Sequence, residues 1–484
     1  MSTLGINFVR RNGRQGAESS RRCLLLLAIF LSGAGVANIL NGRGAMDVVT
    51  NLDDGGPGSL RDAIATAQAG DTISFAVRGT IVLTNGELLI SQNLKIAGPG
   101  ATNLAISAAR QSRVLEIYSN AVVNLSGLTI CDGHAADGAV GTSNSPAGGD
   151  GGDGGGIYNA GSLILAQCMI SNCAAGDGGA GYQTPYEYNV PPEATNWVAG
   201  VGGGGGAIYN TGKLLLTGCS LIANSSGTGG NGGGNVIDGA SGNSGGGGGA
   251  IYNAGTMVLT RCQFEHNATG HGGAAYSILY YSREFPDAEH GGAGGVGGGV
   301  CDSGQTTTFV NGCQFISNTS GAGGIGGNTN TAYFAGTDFG GPGGAGGAGG
   351  AMWVGRSMRM VNCAFLSNQT GAGGGGAFGL TNGGAGGIGG SGGAIYCLGQ
   401  LSMVDCSCVS NQVGGGSDGG FAAIGLGGAG ASGGNGGAIC AISDVNLTGC
   451  SLDWNNAGPS GNGGGSGSGL GGASGIGGLG GAIC

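Results

Sequence analysis

The stretch Gly206-Ala207-Ile208-Tyr209-Asn210-Thr211-Gly212-Lys213-Leu214-Leu215-Leu216-Thr217-Gly218-Cys219-Ser220-Leu221-Ile222-Ala223-Asn224 decides the fold. Its apolar residues fall in three short segments: an anchor around Ile208, an apolar-x-apolar segment at Leu214 and Leu216, and a Cys-x-apolar segment at Cys219 and Leu221. Alternation with period two marks each as a strand with one face turned inward. Strands of three to five residues cannot form an independent sheet. Bends of roughly two residues separate them, as in a coil with three faces.

The same pattern returns along the chain. The anchor recurs at Ile157, Ile251, Val300, Met352, Ile395, Ile439 and Ile483, spaced by 43 to 52 residues. The cysteine segment and its closing asparagine recur at Cys262, Phe264 and Asn267; Cys313, Phe315 and Asn318; Cys363, Phe365 and Asn368; Cys406, Cys408 and Asn411; and Cys450, Leu452 and Asn455. In the copy at Cys168, Cys173 replaces the asparagine. A unit that cannot bury its own apolar face gains stability when copies stack in register. Parallel crossovers are right-handed. The expected fold is therefore all-β, a right-handed parallel β-helix. Isoleucine and cysteine ladders point inward, and the asparagine series bonds the backbone of neighbouring turns.

Three regions follow. Residues 1–37 read as an export signal: Arg21 and Arg22 precede the apolar run Cys23–Leu31, then small residues at Gly35 and Ala37. Residues 47–133 read as an N-terminal cap and first rungs. There Ser59-Leu60-Arg61-Asp62-Ala63-Ile64 predicts a short amphipathic helix N-capped by Ser59 over the open apolar end. Strands are expected at Thr72–Phe75, Thr80–Leu83, Leu88–Ile90, Leu94–Ile96, Val114–Ile117 and Val122–Ile130. Residues 134–484 are the glycine-rich repeat region. No apolar stretch after the signal is long enough to span a bilayer. The chain stops at Cys484 inside a repeat, so a truncated reading frame is expected.

Glycine dominates, at 123 residues. The tracts between each asparagine and the next anchor run in Gly-Gly-X triplets, such as Gly383-Gly384-Ala385-Gly386-Gly387-Ile388. A period of three suits an extended polyproline II helix, with neighbouring tracts hydrogen-bonded side by side. A flexible linker is the competing reading. The net charge is -10, and six of the 16 basic residues precede Asp47. This leaves no basic footprint for nucleic acid. The 15 cysteines invite a disulfide reading in an exported protein. In-register parallel neighbours sit about 4.8 Å apart, too wide for the Cβ atoms of a disulfide, so buried free thiols are expected. Cys131, Cys173 and Cys397, off the ladder, could pair elsewhere.

Thr50-Asn51-Leu52 and Gly56-Pro57-Gly58-Ser59-Leu60-Arg61-Asp62-Ala63-Ile64 resemble the opening of bacterial secreted right-handed β-helix proteins. The Gly-Gly-Ala-Ile elements, with Phe264-Glu265-His266-Asn267, Phe315-Ile316-Ser317-Asn318 and Phe365-Leu366-Ser367-Asn368, resemble polymorphic outer membrane protein repeats. The resemblance implies a bacterial β-helix that is secreted, on the cell surface or in the outer membrane. The wider superfamily includes pectate lyases, which implies a polysaccharide lyase or hydrolase on acidic glycans as the alternative to an adhesin-like scaffold.

Two insertions carry candidate chemistry. The first, Tyr182 to Trp197, holds Tyr182, Tyr186, Tyr188 and Trp197; these rings either bind a glycan or partner protein or pack locally. The second follows Phe264 and holds Glu265, His266 and His271, then Arg283, Glu284, Asp287, Glu289 and His290. A lyase of this kind needs acids for Ca²⁺ and a basic proton acceptor, and the last five supply those types; a solvated polar loop is the alternative. Gly148-Gly149-Asp150-Gly151-Gly152-Asp153 matches the start of a Ca²⁺-binding nonapeptide, which makes Asp150 and Asp153 candidate ligands.

Overall fold

The structure is a computed structural model that describes residues 7–9, 44–184, 197–235, 239–277, 289–304, 306–329 and 339–484. Most of the 1–37 export signal, and Tyr186, Tyr188, Arg283, Glu284 and Asp287, lie outside the described residues.

The chain is a right-handed parallel β-helix built from three all-parallel sheets. The anchor segments form a 9-stranded sheet from Leu88–Ile90 to Ile439–Ala441. The apolar-x-apolar segments form a 12-stranded sheet that begins at Met46–Val49 and reaches Val445–Thr448, with Asn7–Val9 paired at its far edge. The cysteine segments form a 10-stranded sheet from Gly79–Val82 to Ser451–Asp453. Register follows the sequence repeat: Ile157, Ile208, Ile251, Val300, Met352, Ile395 and Ile439 lie one over the next, and all are fully buried.

The cysteine ladder is inward and thiol-bearing, as expected. Cys168, Cys219 and Cys262 each donate Sγ to the carbonyl two residues back, at 3.4 to 3.6 Å. Beside it, Phe264, Phe315 and Phe365 stack at centroid distances of 4.7 and 4.8 Å. The asparagine ladder is buried and saturated. Asn318 Nδ2 donates to Phe264 O (2.9 Å) and Asn368 Oδ1 (3.0 Å), and Asn318 Oδ1 accepts from the backbone and amide of Asn267. A second amide ladder runs through Asn159, Asn210 and Asn253 and ends on Asp302. Buried amides are tolerable because each rung satisfies the next, although Asn159 Oδ1, at the head of the second ladder, is buried without a partner. Cys131, Cys173 and Cys397 are free thiols; the disulfide joins Cys440 to Cys484 instead.

The N-terminal helix spans Leu60–Thr66, and Ser59 accepts from Asp62 N as the N-cap. Its buried Leu60 and Ile64 join the solenoid core. Arg61 meets Asp54 at 2.7 Å. Two differences from the sequence reading appear nearby. The run Val122–Ile130 is split into Val122–Ser126 and Thr129–Cys131, because Gly127 adopts φ +59° and turns the chain. Met46–Val49 and Leu104–Ser107 form further strands.

The glycine tracts are ordered. After each asparagine an outgoing tract leaves the solenoid, and a return tract leads back to the next anchor, so successive rungs build two facing layers. Gly227 N donates to Gly203 O and Gly230 N to Gly200 O, both 2.9 Å, across the layers. Gly229 N donates to His271 O (2.8 Å) on the next rung of its own layer. The return tract mirrors this through Gly246 N to Gly227 O (2.8 Å) and Gly245 N to Ala293 O (3.0 Å). Two residues of each triplet face a neighbouring backbone, and only the third points out. A Cβ on Gly246 would strike the Gly203 carbonyl, and one on Gly245 the Gly270 carbonyl. Hence the Gly-Gly-X rule.

Candidate functional site

Far from the solenoid, outgoing tracts turn into return tracts, as the chain does at 142–145 and 379–382 among the described residues. The described residues there form a cleft of about 410 Å³ lined by Trp197, Val198, Gly239, Ala240, Ser241, Gly242, Asn243 and Glu289. Three successive return tracts supply them.

The sandwich fixes the geometry. Ser241 Oγ donates to Glu289 Oε2 at 2.7 Å and accepts from His290 N at 3.0 Å. Asn243 Nδ2 donates to Ala199 O (2.8 Å), while its Oδ1 accepts from Ser244 N (2.8 Å). Trp197 is only 6% exposed, so its ring is a wall and offers little free face for stacking. Its carbonyl accepts from Gly233 N (3.1 Å), and the adjacent Gly234 N donates to Tyr182 O (2.8 Å). Tyr182 and Trp197 therefore flank the same turn from opposite layers, with Tyr182 half-buried.

The second insertion is divided among three places. Glu265 and His266 lie on the outer wall of the solenoid, with His266 Nε2 at 3.6 Å from Glu265 Oε1. His271 is on the outgoing layer, where Nδ1 accepts from Ala322 N (2.8 Å). Glu289 and His290 begin the return tract, and Glu289 alone of these reaches the cleft. Ser241 and Asn243 were not anticipated; their only signal is a place in the triplets beside the turn.

Asp150 and Asp153 occupy outward positions on the first return tract. Asp150 Oδ1 accepts from Val201 N (2.8 Å) and Asp153 Oδ1 from Gly204 N (2.7 Å), so both act as bridges to the next rung. Burial raises the Asp153 carboxyl above the usual range, against the lowering effect of that hydrogen bond. Among the described residues no cluster of three or more His, Cys, Asp or Glu is arranged to hold a metal ion.

The anchor sheet carries an outward aromatic stripe. Tyr158, Tyr209 and Tyr252 stack at 5.4 and 5.0 Å, and the Arg113 guanidinium caps Tyr158 at 5.2 Å. Rings stacked on one another expose edges and hydroxyls, so this stripe is not a platform for sugar faces.

No family model matches the chain, and no curated protein matches it. Among solved structures, it is similar to ORF18 of Geobacillus virus E2, with TM-score 0.26 and 9% identity over 93% of this chain. The matched region spans 64% of that viral protein. It is also similar to the pectin methylesterase PemA of Erwinia chrysanthemi, with TM-score 0.28 and 12% identity over 66% of this chain and 79% of that one. A pectin methylesterase variant in complex with a hexasaccharide gives TM-score 0.27 and 14% identity over the same shares. The β-helix assignment rests on the strand register. No helix among the described residues is long and apolar enough to cross a membrane.

Proposed function

We propose that the chain is a secreted or cell-surface β-helix scaffold, adhesin-like, that binds an extracellular glycan through the free edge of its glycine sandwich. The observation that supports this most directly is the cleft, where an indole wall, a hydroxyl, an amide and a carboxylate from three rungs converge. Apolar walls with a few placed polar groups suit a small polyhydroxylated ligand. Glycoside hydrolysis uses two carboxylates across the bond, and Glu289 is the one carboxylate among the described residues lining the cleft. Binding is therefore the reading carried forward, with lyase or hydrolase action by the 265–290 insertion as the alternative.

A glycan panel read by calorimetry tests this. Binding by the wild type that falls at least about tenfold in both Glu289→Ala and Ser241→Ala (about 1.4 kcal/mol) is expected. Binding to no glycan, or binding indifferent to both changes, would overturn the proposal. Release of unsaturated products from polygalacturonate, lost in Arg283→Ala, would establish the enzymatic alternative. Mass analysis of the protein exported by a bacterial host, with a new N-terminus near Asn38, tests the secretion reading.

A further inference from the structure

Past the cleft, the edge where the tracts turn becomes apolar. The chain turns at 379–382, and the bridges Gly379–Ala422 and Ala422–Ser466 bring the next two turns, 422–426 and 466–469, over it in register. These three turns and the residues beside them carry Phe378, Leu380, Phe421, Ile424, Leu426 and Leu470. Phe378 and Phe421 stack at a centroid distance of 6.1 Å. Phe421, Ile424, Leu426 and Leu470 are 47%, 59%, 56% and 76% exposed. Large apolar side chains in a row this open mark a contact site. The backbone beneath them is closed to outside partners. From Ala422 to Gly428 every N–H except that of Gly425 is bonded within the edge: Ala422 N to Gly465 O, Ala423 N to Gly379 O, Ile424 N to Leu380 O, Leu426 N to Asn382 Oδ1, Gly427 N to Leu470 O and Gly428 N to Gly420 O, at 2.9 to 3.2 Å. The hydroxyls turn back as well. Ser466 Oγ donates to Gly425 O (2.6 Å) and Ser468 Oγ to Ile424 O (3.1 Å).

We propose that this row of turns seats in the interfacial layer of a lipid bilayer with zwitterionic headgroups. Two observations point to lipid as the occupant. The first is the closed backbone. A protein interface is crossed by hydrogen bonds, whereas this edge has turned its amides and hydroxyls inward. Lipid offers no partner to a backbone group, so a turn that enters it must be satisfied from within. The second is charge. Beyond Arg359 the chain has no basic side chain. Of the four acidic ones, Asp405, Asp418, Asp444 and Asp453, Asp418 alone lies on a glycine tract, three residues before Phe421, where it accepts from Asn462 N (2.6 Å). With an acid beside it and no cation to hold an anionic headgroup, the edge suits a surface without net charge. The contact is peripheral: the side chains of the turns reach the boundary between headgroups and acyl chains, and the tracts stay outside. It stands apart from the glycan reading, whose cleft lies on earlier rungs.

Flotation of the full chain with lipid vesicles tests this. The wild type is expected to float with phosphatidylcholine vesicles, and adding phosphatidylglycerol to them should not strengthen binding. Ile424→Asp and Leu470→Asp should each weaken it at least about tenfold. Ile388→Asp, at a residue equally exposed but set back on the return tract, should leave it unchanged. Leu470→Trp gives a reading that needs no loss of binding: its added emission should shift to the blue when vesicles are present. A wild type that does not float, tighter binding to phosphatidylglycerol vesicles, or no blue shift would overturn the proposal. So would binding that survives both aspartates, as binding through the apolar run Cys23–Leu31 would, or a lipid-free dimer that Leu470→Asp dissolves while vesicles stay unbound.

Discussion

Replacing Gly374 by alanine should damage the protein, and replacing its neighbour Gly375 should not. A Cβ on Gly374 would lie 2.5 Å from the Gly324 carbonyl carbon, and closer still to its oxygen. Ordinary contact between such atoms is about 3.5–4.0 Å, so the two outgoing tracts must part by roughly 1 Å. The bonds on either side, Gly323 N to Ala372 O at 2.9 Å and Gly326 N to Gly375 O at 3.1 Å, would then stretch past hydrogen-bonding range. An unsatisfied buried backbone group costs about 1–3 kcal/mol, so losing two bonds should cost roughly 2–6 kcal/mol locally. At Gly375 a Cβ meets nothing within 4 Å. Alanine there should be neutral, or stabilising by about 0.4–1 kcal/mol through the unfolded state. Solenoid stability is approximately a sum of local terms, so the assay is amide exchange resolved along residues 371–390, backed by denaturant unfolding. Exchange that accelerates in Gly374→Ala and holds in Gly375→Ala is expected. Equal effects at the two positions would refute the layered-tract geometry.

Three further outcomes follow from the same structure. Phe315→Ala removes the central ring of a stack with neighbours at 4.7 and 4.8 Å and should cost about 3–5 kcal/mol in denaturant unfolding; a loss under about 1 kcal/mol would mean the ladder is not packed. The Cys440–Cys484 disulfide closes a separation of 44 residues, worth roughly 4 kcal/mol by chain-entropy arithmetic. Cys484→Ser should therefore speed exchange of Ala438 and Ile439, whose amides bond Ala482 O at 2.9 Å, and leave Ile208 protected. Burial pushes the Cys173 thiol up to about 12 and the Cys397 thiol up to about 11, from an ordinary 9.0. The folded state thus holds these protons more tightly than the unfolded one. Their contribution is fully present below pH 9.0 and is lost as pH climbs through 11 to 12. Denaturation midpoints should hold constant up to pH 9.0 and fall above it; a midpoint that rises there contradicts the burial.

The solenoid was legible because its information is repeated. Ile208 and Cys219 carry weak signals alone, but copies at matching offsets fix register, and period-two parity fixes which side is buried. Parity also reaches Asn210, two residues after Ile208 and on the same face; its burial was missed because amides are usually exposed. Leu104–Ser107 went unread because it is short and precedes the repeats. The disulfide was missed because the spacing argument was framed on the inward cysteine ladder. Cys440 and Cys484 are in the outward series, with Cα atoms 4.7 Å apart, inside the range a disulfide tolerates. The cleft was only half legible. Trp197 and Glu289 were singled out as belonging to separate loops, and nothing local says that residues more than 90 positions apart line one cavity. That follows only from ordered tracts, which the triplet period left open against a flexible linker.

The uneven repeat length shows where this architecture can vary. Asn210 to Asn253 spans 43 residues, while Asn159 to Asn210 spans 51 and Asn253 to Asp302 spans 49. An extra residue in a solenoid strand would turn every later side chain to the wrong face. An extra residue in a glycine tract would drive a side chain into a neighbouring carbonyl. The strands and the glycine tracts are therefore locked in length, and freedom is left to the turns: anchor and ladder cysteine are 11 residues apart at Ile251–Cys262 but 13 at Val300–Cys313, where the surplus falls in a solenoid bend. In the sequence, the surplus of these two longer repeats falls between Thr184 and Trp197 and between Ser277 and Glu289. Trp197 and Glu289, which line the cleft, directly follow those two stretches of sequence, so the cleft adjoins the variable part of the repeat. Selection for a new ligand can act on that part without disturbing the stacked core beneath it, which is the physical reason to look for function at the far end of the glycine tracts rather than along the solenoid wall.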